Sequence, residues 1–249
     1  GWELYESPNY FIVSNNKDED FLEELMDRLE AIRVVYEADY PIEKALEAHK
    51  AKAKREEEKK GDKAGKKESA KDEQRTTATR ADPMEASRTS VVRVCSNDDE
   101  YRAYGGPPGS AGYWAAMHEE LVVYDDKAVG GRGDTWITLN HEAFHQYIFY
   151  FYGNISPHSW YNEGTGDFYS GYQLDGRNKF QLSENSWRVR LAEQNINQGN
   201  YCPLKEFVRW TQAEYYGQND YKLGGGDNYA QGWSYIYFLR TGKKNKAKG

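Results

Sequence analysis

Apolar residues recur along the first forty positions with two different periods. Tyr10-Phe11-Ile12-Val13 is a short continuous apolar run and reads as a strand. From Asp18 to Tyr36, Phe21, Leu22, Leu25, Leu29, Ile32 and Val35 fall on one stripe of a 3.6-residue period, which predicts an amphipathic helix. Pro41 ends it, because proline neither donates a backbone hydrogen bond nor fits a helix interior. The pattern then lapses. Residues 50–86 are rich in Lys, Glu and Ala and nearly free of apolar side chains, so they cannot bury a core. They are expected to be a frayed helix or a disordered excursion, inserted within a domain that runs over 1–249.

Ordered pattern resumes at Val91-Val92-Arg93-Val94-Cys95, a predicted strand. A short helix capped near Ser96 is expected over 97–104, then a Gly/Pro loop over 105–109. Gly112–Ala116 and Glu120–Tyr124 read as strands, and Leu121-Val122-Val123-Tyr124 is expected to be an edge strand beside a substrate cleft. Helices are predicted at about 134–152, 161–173, 184–195, 203–212 and 227–240. Strands come first and helices after, so the expected class is α+β, not a series of βαβ units.

The 249 residues suffice for one large domain or two small ones. Aromatic residues make up 15% of the chain, with 21 Tyr and 7 Trp, enough to build a core with polar edges. The net charge is −7, unevenly spread: residues 50–80 carry +5 and the tail 241–249 carries +4, leaving −16 on the rest. So acidic a body argues against nucleic-acid binding, whereas the basic insert is suited at most to an anionic partner. No stretch is apolar enough to span a membrane, and no signal peptide is visible. The chain starts in mid-pattern, which leaves room for a removed N-terminal segment. Cys95 and Cys202 allow a disulfide without requiring one, and two thiols cannot form a metal cage.

The predicted helix over 134–152 carries His141-Glu142-Ala143-Phe144-His145, an H-E-x-x-H pattern. Residues four apart share a helix face, so His141 and His145 can present their imidazoles to one ion. Glu142, beside the first ligand, can reach a water that the ion activates without binding the ion itself. Zinc brings the pKa of water from 15.7 down to roughly 7. Trp136, Ile137, Leu139, Phe144, Tyr147, Ile148 and Phe151 make this helix apolar over much of its surface, as a buried helix should be. Asp134 is its expected N-cap and Gly153 its terminator. Two histidines and a glutamate on a buried helix need partners, and a metal satisfies all three.

Catalytic zinc usually has three protein ligands and an open position. The third could be His158, in a Ser-Pro-His-Ser turn, or Glu163 or Asp167 in Trp160-Tyr161-Asn162-Glu163-Gly164-Thr165-Gly166-Asp167. Glu163 is the better choice, because Asp167 then lies one turn on and can hydrogen-bond the free nitrogen of a ligand histidine. Ile148 and Phe151 stand where the metzincin pattern needs glycine and histidine, which excludes that arrangement.

His-Glu-Ala-Phe-His followed by Glu163 and Asp167 resembles the gluzincins, the zinc peptidase clan of thermolysin and the membrane-alanyl-type aminopeptidases. Val91–Gly106, Glu120-Leu121-Val122-Val123-Tyr124-Asp125-Asp126, Trp160–Tyr169 and Tyr229–Leu239 are similar to runs in a bacterial family of secreted metallopeptidases known mainly from sequence. The resemblance covers about 1–41 and 88–240. It implies a zincin-like fold: a small mixed sheet, the H-E-x-x-H helix and a mostly helical C-terminal part. It also implies a secreted or periplasmic location. His141, His145 and Glu163 would bind zinc, Glu142 would be the general base and acid, and Asp167 would orient a ligand histidine. Tyr229, in a Tyr-x-x-Gly segment, would donate to the oxyanion; Tyr235 and Tyr237 are weaker candidates. The clan's aminopeptidases carry a Gly-x-Met-Glu-Asn strand that grips the substrate amine. Here Ala115-Ala116-Met117-His118-Glu119 stands in its place, so endopeptidase action on a peptide or protein is the expectation.

Two other functions use the same residues. One is a zinc hydrolase of a non-peptide amide or ester. The other is a binding domain that keeps zinc for stability, whose usual mark, loss of the glutamate beside His141, is absent. Cobalt or manganese could occupy the same donors in vitro.

Overall fold

A computed structural model describes residues 1–63, 90–125, 132–175, 179–221 and 223–242. A five-stranded mixed sheet forms one layer, in the order β1-β2-β3-β5-β4. Its strands are β1 (Glu3–Glu6), β2 (Tyr10–Ser14), β3 (Ser90–Cys95), β4 (Gly112–Ala115) and β5 (Glu120–Tyr124). β2, β3 and β5 run parallel; β1 and β4 close the two edges antiparallel. The parallel β2–β3 step crosses over through α1 (Glu19–Asp39) and α2 (Ile42–Lys63), a βαβ connection that the expectation of strands first and helices after did not include.

β5, not the edge, lies inside the sheet, and β4 takes the rim. Leu121 to Tyr124 are all buried, as a strand covered on both faces must be. α1 begins where Asp18 accepts a hydrogen bond from the Phe21 N–H, and it buries Phe21, Leu22, Leu25, Leu29 and Ile32, each 1% exposed or less. Val35 packs at the margin of this core. α2 includes the start of the charged insert; the rest of the insert, and tail residues 243–249, lie outside the described residues.

α3 (Asp98–Ala103) is capped by Asn97. α4 (Arg132–Phe151) crosses the sheet. Its first helical residue precedes Asp134, which therefore sits in the first turn and is not the cap. Gly153 does end it, at φ +75°. α4 is pinned from three sides. Tyr36 Oη donates to the Asn140 carbonyl at 2.5 Å, Gln146 Nε2 to the Val91 carbonyl at 3.0 Å, and Asn140 Nδ2 to the Tyr172 carbonyl at 2.9 Å. Phe144 and Leu139 are fully buried on its core face; truncating either to Ala would cost about 3 kcal/mol.

α5 (Ser159–Ser170) stops short of 173, because Tyr172–Leu174 (β6) pairs with Phe180–Leu182 (β7) in a small hairpin. α6 (Ser186–Gln198) follows. Only one turn of the helix expected over 203–212 forms, α7 (Leu204–Phe207); a further turn, α8 (Gln212–Tyr215), begins where that range ends, and α9 (Gly226–Thr241) packs on α5. One core joins residues of β2, α1, β3, β5, α4, α5 and α9. Cys95 and Cys202 are buried and unbridged, so the allowed disulfide does not form. Among the described residues no helix is long and apolar enough to cross a membrane.

Candidate metal centre

The site forms where α4 and α5 pack. Helical glycine is costly, by about 1 kcal/mol relative to alanine, yet α5 carries two within one turn. Each is explained by a close approach. A Cβ on Gly164 would lie 2.6 Å from the backbone of Gly232 in α9, and one on Gly166 would lie 2.9 Å from the His141 ring. The glycines let α5 settle between α4 and α9 with Glu163 and Asp167, one turn apart, facing α4.

Three ligand atoms converge there. Glu163 Oε2 lies 3.2 Å from His141 Nε2 and 3.4 Å from His145 Nε2, and one atom from each side chain falls within 4.8 Å of the others. The outer nitrogens are also engaged. His145 Nδ1 lies 3.0 Å from Asn162 Oδ1, and His141 Nδ1 lies 3.3 Å from Asp167 Oδ1. Both oxygens are acceptors, so each Nδ1 carries a proton and each Nε2 faces inward, toward Glu163 Oε2. Arg188 holds Asp167 in turn, Nε to Oδ2 at 2.7 Å and Nη2 to Oδ1 at 3.0 Å. It reaches there from the first turn of α6, whose cap Asn185 accepts the Arg188 N–H.

The cluster favours positive charge. Burial disfavours a charged His141, but the Asp167 and Glu163 carboxylates outweigh it and raise its pKa to about 10. Burial alone would raise Glu163, yet the imidazoles of His145 and His141 hold it well below the usual carboxylate range. A dication would supply that charge from one point, and its binding would release the proton. Two imidazoles and one carboxylate are a donor set suited to zinc. The residues therefore fit a metal ion of this class and make a zincin-like candidate centre.

Glu142 stays outside the triad. Its Oε2 accepts the N–H of Trp114 on edge strand β4 at 2.9 Å, and burial raises its pKa against the pull of both imidazoles. Tyr229 approaches from α9, its ring centroid 6.4 Å from that of His141 and the Arg188 guanidinium 5.1 Å from its own. Burial, then the Glu163 charge, raises its phenol pKa, so it stays protonated. Tyr235 and Tyr237 are elsewhere, bonded to Gln231 and Glu184. His158 is exposed at the start of α5 and is no part of the triad. Glu119 lies in the β4–β5 turn, where it accepts from Tyr150.

A cleft of about 1230 Å³ passes over the triad, with β4, the start of α4, Trp187 and Tyr216 among its walls. Asn162, Arg188 and Tyr216 were not expected from the sequence. Asn162 had a signal, since it adjoins Glu163 on a helix already expected to face the histidines. Neither a family model nor a curated protein matches this chain.

Proposed function

We propose that this protein is a zinc-dependent hydrolase of the gluzincin type that cleaves peptide bonds within an extended chain. One observation carries the reading: two Nε2 atoms and one carboxylate oxygen converge, while Glu142 opens onto the same cleft without joining them. Bound at His141, His145 and Glu163, zinc supplies Lewis acidity, polarising a carbonyl and making water acidic enough to attack near neutral pH.

The chain's own groups do the rest. Trp114 N–H fixes one oxygen of Glu142, leaving the other to take a proton from the attacking water. A carboxyl whose pKa is raised by burial can pass that proton on to the departing amine. Tyr229, kept protonated, donates to the developing oxyanion. Asp167 and Asn162 hold the imidazoles in the tautomer a metal needs.

The cleft supports a chain-like substrate. Asp134, Thr138, His141, Glu142 and His145 all line it, so it follows α4 for about 16 Å at 1.5 Å per residue. That length accepts roughly five residues of extended peptide at about 3.3 Å each. Glu119 accepts from Tyr150 and is not among the residues that line the cleft, which favours endopeptidase action. A library of internally quenched peptides, blocked at both ends, tests this. Cleavage should stop with a chelator and return with zinc; cleavage of unblocked peptides alone would refute endopeptidase action.

A further inference from the structure

We propose that Tyr216 is a positioning residue of the metal centre: its phenol fixes Glu163 so that a single carboxylate oxygen is offered to the ion. This rests on the metal reading above. The two oxygens of Glu163 have separate partners. Oε2 faces both imidazoles, at 3.2 and 3.4 Å, while Oε1 accepts the Tyr216 Oη proton at 2.6 Å. The arrangement matches that of the histidines, whose outer nitrogens are bonded to Asp167 and Asn162. Each of the three candidate ligands thus has its outer atom held by a residue outside the triad, and Tyr216 completes the set.

The phenol is placed by a well-anchored turn. Thr211 and Glu214 form a capping box at the start of α8, and Tyr215, fully buried among Cys202, Phe207, Trp210 and Leu223, anchors its end. Tyr216 follows directly and extends into the cleft, 48% exposed. Its role is distinct from that of Tyr229, whose ring lies over the His141 side of the site. Without the Tyr216 hydroxyl, Glu163 can rotate and turn both oxygens inward. The ion would then gain a ligand atom and lose a fixed geometry.

The test compares wild type, Tyr216→Phe and Tyr229→Phe. Zinc affinity is measured by chelator competition, and coordination by the visible spectrum of each cobalt-loaded protein. Phenylalanine keeps the ring and its packing, and melting of the metal-free proteins checks the fold. Tyr216→Phe is expected to bind zinc about 10–100-fold more weakly, the range for losing an outer partner of a ligand, and to change the cobalt spectrum. Tyr229→Phe should change neither. Wild-type affinity together with an unchanged cobalt spectrum in Tyr216→Phe would overturn the inference. Failure of the wild type itself to bind zinc or cobalt would instead overturn the metal reading on which it rests.

Discussion

Gly166 has no side chain where the imidazole of His141 needs the space: a Cβ built there would lie 2.9 Å from both Nε2 and Cε1 of that ring. The glycine belongs to α5 and the histidine to α4, so the position of one ligand depends on the bareness of the other helix. Gly166→Ala should push the ring away from Glu163 and weaken zinc binding well beyond its effect on folding. Gly164→Ala meets the backbone of Gly232 at 2.6 Å and should mainly destabilise the fold, by about 1–3 kcal/mol. Zinc titration and urea unfolding of the metal-free variants separate the two. Equal effects of both substitutions on both measurements would show that Gly166 has no particular tie to His141.

Arg188 and Asp167 form an ion pair with one hydrogen bond, Nη2 to Oδ1, and side chains 13% and 5% exposed. Removing one partner strands the other in a poorly solvated place. Arg188→Met should cost on the order of 3 kcal/mol in the metal-free protein and also lower zinc affinity, because Asp167 then loses its hold on His141. Adding Asp167→Asn should recover part of the stability but none of the affinity. Additive stability losses in the double variant would contradict the coupling.

Outside the residues that line the cleft, Arg93 makes two hydrogen bonds to Glu120 and contacts the rings of Trp2 and Tyr104, 4.9 and 4.5 Å from their centroids. The Arg93 guanidinium, helped by Tyr104 and opposed by burial, lowers the Glu120 pKa. A carboxylate with a depressed folded pKa adds stability that is fully present above its unfolded value of about 4.3 and lost as pH falls through the folded value. Glu120→Gln should therefore be less stable than wild type at pH 7, and the gap should close on acidification. A gap independent of pH would assign the loss to packing.

Burial raises the thiol pKa of Cys95 to about 12 and that of Cys202 to about 11, with Glu100 and Glu206 adding to it. A thiol is reactive only as its thiolate. A disulfide-exchange reagent at pH 8 should leave the native protein unlabelled and find two free thiols after denaturation. Labelling of the folded protein, or fewer than two thiols when unfolded, would count against these positions.

Much of this was legible in the chain because strong periods and short spacings act locally. The stripe from Phe21 to Ile32 became the buried face of α1, and His141, His145 and Glu163 met as their spacing on two helices implied. Asp167 does reach the outer nitrogen of His141. The misreadings have physical reasons. Leu121–Tyr124 is apolar on both faces, which is the mark of an interior strand, so β4 took the edge. β1 has three of its four residues exposed and leaves no apolar alternation to read. Each strand of the β6–β7 hairpin has only three residues. Arg188 and Tyr216 act on Asp167 and Glu163 from 21 and 53 residues away, which only the packing of α6 and α8 could reveal.

The proposed metal centre at His141, His145 and Glu163 is served by a separate acid–base carboxylate, Glu142. Its most direct test measures zinc content and cleavage of a quenched peptide side by side for wild type and Glu142→Gln. About one zinc is expected in both proteins, the stoichiometry of a single three-ligand site, with cleavage only in the wild type. No zinc in either, even after attempted reloading, or undiminished cleavage by Glu142→Gln, would contradict it.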